Sequence, residues 1–65
     1  MVGAKKYQPV HIVCPSFELP YGQHSETFET ENAARVAASW LCTKNCRKYN
    51  VYRIELLHTE DPGER

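Results

Sequence analysis

Three cysteines and three histidines are the side chains of this 65-residue chain best suited to chemistry. His11 and Cys14 stand three apart, Cys42 and Cys46 four apart. Two such pairs would supply the four nitrogen and sulfur ligands that zinc takes in a tetrahedron. The spacing argues against it. Residues three apart on a strand point to opposite faces, so His11 and Cys14 do not readily share an ion. Cys42 and Cys46 share a helical face, but the one expected to turn away from the core. No metal ligands are assigned: Cys14 reads as a small core hydrophobe and the other two as free thiols. A Cys42–Cys46 or Cys14–Cys46 disulfide would need an oxidising setting, and an odd cysteine count fits a reducing one better. Thiol–imidazole catalysis has no better footing. Nothing fixes a cysteine beside a histidine, and a helix C-terminus disfavours a thiolate at Cys42 or Cys46, although neighbouring cations oppose that. The chain has no glycine-rich phosphate loop, serine nucleophile elbow or HExxH helix. It reads as a non-enzymatic protein with no catalytic residues and no cofactor.

Binding chemistry is better represented. Lys44, Arg47, Lys48 and Arg53 gather in the second half, with Tyr49 and Tyr52 among them. Cations contact phosphates and aromatic rings stack on unpaired bases. Eight basic residues are balanced by eight acidic ones, however, so no global field draws the chain to nucleic acid or to an anionic membrane. Phe17, Leu19 and Tyr21 form an aromatic-rich segment of the kind that supplies interface hot spots. The candidate binding residues, for protein or nucleic acid, are Lys44, Arg47, Lys48, Tyr49, Arg53 and Tyr21.

These residues need elements to position them. Around residues 7–17 the beta-branched, alternating pattern predicts a strand, bracketed by Pro9 and Pro15. Val10, Ile12 and Cys14 are the preferred buried face; the opposite parity would bury His11. Pro20 and Gly22 mark a turn, with Gly22 available for a positive φ, and residues 25–28 a second, antiparallel strand with Phe28 inward. Thr30 is a suitable N-cap, and Glu31 complements the helix dipole. Residues 31–42 have high helix propensity. At 100° per residue Ala33, Val36, Ala37, Trp40 and Leu41 share one face, with Ala38 and Cys42 pointing away. Trp40 would then supply most of the buried area, and Trp40→Ala would cost on the order of 3–5 kcal/mol. Asn45 or Asn50 could take the left-handed conformation that ends the helix. Residues 51–57 alternate as one strand, with Tyr52, Ile54 and Leu56 toward the helix.

The predicted fold is therefore α+β: a three-stranded antiparallel sheet in the order strand, strand, helix, strand, with the first strand central and one helix on a face. A single domain is expected, with residues 1–6 a flexible arm and residues 60–65 a flexible tail. His11, Val13, Arg53, Glu55 and Thr27 would lie on the uncovered sheet face. Cores of this size rarely contribute more than about 3–5 kcal/mol, so a homodimer through that face or a strand edge is a natural supplement. No apolar run is long enough to cross a membrane, and the N-terminus lacks the hydrophobic stretch of a secretory signal, so the expected location is the cytoplasm.

The run Phe28-Glu29-Thr30-Glu31-Asn32-Ala33-Ala34-Arg35-Val36-Ala37, followed by Val51-Tyr52-Arg53-Ile54-Glu55, resembles the strand, cap, alanine helix and strand of small inhibitor proteins of phages and mobile elements, the anti-CRISPR proteins among them. The resemblance covers about half the chain and is one of architecture. It implies a steric inhibitor in a host cytoplasm, occupying a surface of a host protein or nucleoprotein complex. With zero net charge, mixed-charge contacts fit better than mimicry of DNA. The alternative is a small nucleic-acid-binding module using residues 44–53.

Overall fold

Thr30 sets the start of the helix around which the domain is built. Its hydroxyl accepts from the backbone N–H of Ala33 at 3.1 Å, and its own backbone is extended. In the computed structural model, which describes residues 10–63, helix α1 spans Glu31–Asn45. Strand β1 is His11–Pro15, β2 Glu26–Phe28, β3 Tyr49–Arg53 and β4 Glu55–Glu60. They form one antiparallel sheet in the order β2-β1-β3-β4, with α1 packed mainly on the two central strands. The class and the central place of the first strand are as expected from sequence. The sheet has four strands rather than three.

The additional strand comes from the segment read as continuous over residues 51–57. The chain reverses at Ile54, which sits at φ 74° and is 96% exposed, so that Arg53 pairs with Glu55 and Tyr52 with Leu56. A register shift between Val51 and Tyr52 then pairs Val51 with His58, giving the hairpin a bulge. β4 continues through Glu60, the first residue of the segment expected to be a flexible tail. The arm expected at residues 1–6 lies outside the described residues. A left-handed backbone costs an L-residue roughly 1–2 kcal/mol, and more when it is β-branched. Glycine relieves that strain while losing more entropy on folding. Ile54→Gly is therefore expected to stabilise the protein by about 0.5–1 kcal/mol, read as an upward shift of the thermal midpoint of about 2–8 °C. An unchanged or lowered midpoint would mean that the tip is not strained.

The helix meets the sheet through small side chains. Ala34, Ala38 and Cys42, four apart, are buried against Val13, Val51 and Tyr49, with Leu41 and Phe28 at the margin. This corrects the expected helix face. Ala38 and Cys42 point inward, while Val36 and Trp40 are 59% and 65% exposed. The reason is volume: two central strands offer a narrow floor, on which a helix rests closely only through alanine-sized residues.

The parity of the sheet is corrected with it. Val13 pairs with Val51 beneath the helix, so by alternation His11 shares that face and Ile12, Cys14 and Tyr52 take the other. All five residues of β1 are buried, whereas Val10 is 37% exposed. Asn50 and Thr59, paired across β3 and β4, are joined by a 2.9 Å hydrogen bond from Thr59 Oγ1 to Asn50 Oδ1. The left-handed residue that ends α1 is Cys46, at φ 55°, rather than either asparagine.

Candidate functional site: a clamped aromatic loop beside the helix C-terminus

β1 ends at Pro15, opposite Tyr49 at the start of β3, and Ser16 donates its N–H to the Lys48 carbonyl at 3.0 Å. The loop over residues 16–25 therefore emerges beside the C-terminal end of α1. Glu18 N–H donates to the Pro15 carbonyl, Gly22 N–H to Leu19, and Ser25 N–H and hydroxyl to Gly22. Pro20 and Tyr21 are the central residues of the Leu19–Gly22 turn. Gly22 closes that turn without a positive φ. What it supplies is space, because a Cβ there would run into the Glu18 carboxylate folded over it.

That carboxylate holds the loop together. Glu18 Oε2 lies 2.5 Å from His24 Nδ1, and Oε1 accepts from the His24 backbone N–H at 3.5 Å. These bonds favour the charged form, so the His24 contact holds the Glu18 carboxyl below its ordinary value near 4.5. The clamp's contribution is present above that ordinary value and is lost as pH falls through the lowered one.

With its backbone and acid turned inward, the loop displays its apolar side chains. Phe17, Leu19 and Tyr21 are 62%, 79% and 81% exposed. The Arg47 guanidinium sits 5.1 Å from the Phe17 ring centre, a cation–π contact. Pro15, Phe17, His24, Asn45, Arg47 and Tyr49 line an open groove of about 280 Å³ between loop and helix end.

Three of the expected binding residues share this end of the molecule with Tyr21. Lys44 is in the last turn of α1, 5.7 Å from the Trp40 ring centre. Arg47 and Lys48 follow the helix, Lys48 with its Nζ 3.9 Å from Asp61. Tyr49 is different: its ring is in the core and its hydroxyl accepts from Asn45 Nδ2 at 2.7 Å, so it has no free face for stacking. Arg53 ends β3 at the far end of the sheet, in the hairpin that Ile54 caps. The basic region read as one patch is thus divided by the length of a strand.

The cysteines and histidines do not converge. Among the described residues no three of His, Cys, Asp and Glu come together as metal ligands. All three cysteines are free. Burial, aided by the Glu18 charge, pushes the Cys14 thiol up, and burial with Glu60 and Asp61 does the same at Cys42, so both are held protonated. His11 is buried, and its Nδ1 has no hydrogen-bond partner among the described residues. His58 Nε2 lies 2.7 Å from Glu60 Oε1. No helix of the described residues is long and apolar enough to cross a membrane.

Two features escaped the sequence reading. The Glu18–His24 clamp joins residues six apart in a loop, a spacing with no periodic signature. The other is the outer face of α1, where Val36, Ser39, Trp40, Thr43 and Lys44 line an open depression; of these, Val36 and Trp40 were expected in the core. No family model, no curated protein and no solved structure matches the chain.

Proposed function

We propose that this chain is a non-enzymatic binding protein whose recognition surface is the clamped loop and the adjoining helix end, acting as a steric inhibitor of a host protein or nucleoprotein complex in the manner of anti-CRISPR proteins. The observation that carries the reading is the exposure of Phe17, Leu19 and Tyr21 on a loop already fixed by its own hydrogen bonds. A loop ordered before contact loses little conformational entropy on binding. Tyrosine and arginine, here Tyr21 and Arg47, are the residue types that dominate binding energy. Balanced charge and a cation-flanked aromatic platform fit a surface of mixed character. The inhibitor reading itself rests on size and architectural resemblance.

A second reading has one observation in its favour: Lys44, Arg47 and Lys48 lie at the end that carries Tyr21 and Phe17, an arrangement suited to single-stranded nucleic acid. One experiment separates the two. Purified RNA-guided effector complexes are loaded with guide and offered labelled target DNA, with and without this protein. A protein-directed inhibitor abolishes target binding or cleavage, and Phe17→Ala with Tyr21→Ala restores it while the far-ultraviolet circular dichroism stays native. A nucleic-acid module instead shifts the free oligonucleotide at low salt, with binding that falls steeply as salt rises and is lost in Arg47→Glu/Lys48→Glu. Neither inhibition nor a shift would overturn both.

A further inference from the structure

The outer face of α1 is unusually apolar for a surface that no element of the described fold covers. Trp40, the sole tryptophan, stands with Val36 one turn before it and Lys44 one turn after, flanked by Ser39 and Thr43. From Asn32 to Lys44 the helix contains no acidic residue. The acids cluster before it, at Glu29 and Glu31, and the cations after it, at Lys44, Arg47 and Lys48. Glu31 is already paired with Arg35 at 3.0 Å, so Glu29 is the exposed acid at that end without an ion pair among the described residues.

This pattern is self-complementary about its middle. Within α1, Val36 and Trp40 are each two residues from Ala38, Ala33 and Thr43 each five, and Lys44 and Asn32 each six, with Glu29 three residues before Asn32. A two-fold axis crossing the helix at the level of Ala38 would therefore lay Trp40 of one copy on Val36 of the other. Small Ala33 would face Thr43 at the flanks. The acidic start of each helix would approach the basic end of the other, and the two dipoles would run antiparallel. Net charge is zero, so no overall repulsion opposes association. We infer that this face binds a second copy of the chain, forming an antiparallel helix-to-helix dimer. The site differs from the sheet face and strand edge considered from sequence. It also leaves the aromatic loop of each copy free at opposite ends, so the dimer would present two recognition surfaces.

A single helix face buries less than the roughly 800 Å² per partner of a standard interface, so association in the micromolar to millimolar range is expected. Sedimentation equilibrium across that range should show the mass rising from 7.5 kDa toward twice that value. Trp40 emission should move to the blue over the same concentrations. Trp40→Ala should stay monomeric throughout, with a dilute-solution melting curve close to the parent's, because the side chain is 65% exposed in the single chain. Glu29→Lys and Lys44→Glu should each weaken association several-fold, and the two together should recover most of it. A monomeric mass at every concentration, a dimer that survives Trp40→Ala, or a charge swap without recovery would overturn the proposal. So would a monomer whose Trp40 emission shifts only on adding an effector complex, which would assign the face to a different partner. Inhibition or oligonucleotide binding through the loop is read with other variants, so either proposal can fail while the other stands.

Discussion

Ala38→Leu is expected to cost about 1–3 kcal/mol, a large part of the roughly 3–5 kcal/mol available to a core of this size. Ala38 has no exposed surface and sits in the middle of the Ala34, Ala38, Cys42 row that rests on Val13 and Val51. Three added carbons there must either lift the helix from the sheet or force neighbouring side chains out of their rotamers. Helix propensity is not the cause, because leucine forms helices nearly as well as alanine. Ala33→Leu is the control. It makes the same chemical change on the exposed side of the same helix and is expected to lie within about 0.5 kcal/mol of the parent. Urea unfolding of both variants, followed by circular dichroism at low protein concentration, decides the matter. Equal stability of the two would mean that the helix is rotated from the orientation described.

That rotation marks the limit of what the residue pattern conveys. The cap at Thr30, the extent of the helix and the central position of the first strand depend on local chemistry: a hydroxyl that satisfies an orphan amide, an alanine-rich run, beta-branched alternation. Each was legible. The buried face of α1 was not, because apolar residues occupy both sides of it. Ala33, Val36, Ala37, Trp40 and Leu41 form the larger stripe, and Ala34, Ala38 and Cys42 the smaller. Area alone selects the first. The closeness with which a helix can approach a narrow twisted sheet selects the second, and that is a property of the assembled fold. Trp40→Ala, expected from sequence to be severe, becomes a test of association instead.

The hairpin at Ile54 was hidden for a related reason. Val51 to Leu57 alternates without interruption, and the turn contains none of the glycine, asparagine or proline that ordinarily announces one. A β-branched residue in the left-handed region, almost wholly exposed, runs against local preference. The candidate site was legible to a similar degree. Lys44, Arg47, Lys48 and Tyr21 meet at one end because helix end and loop converge there. Tyr49 is drawn into the core by its strand parity, and Arg53 is carried away along β3. Sequence neighbours four apart, such as Tyr49 and Arg53, stay close on a helix but are separated by about 13 Å along a strand.

The second large effect is expected at the cross-strand pair in the centre of the core. Val13 and Val51 are directly opposed on β1 and β3, and neither has any exposed surface. Trimming either to alanine removes two methyl groups, each worth about 0.8 kcal/mol in transfer, and leaves a void beneath the helix, for a total of about 2–3 kcal/mol. Both changes together would consume most or all of the roughly 3–5 kcal/mol expected of a core of this size. Ile54→Gly, expected to be more stable, supplies the background in which all four members of the cycle can be compared. The double variant should be less destabilised than the sum of the single ones, by at least about 0.5 kcal/mol, because each single change already removes the same Val13–Val51 contact. Strict additivity would show that the two side chains do not touch. The register that places β1 at the centre of the sheet, and with it the position of the aromatic loop at the end of β1, would then have to be drawn differently.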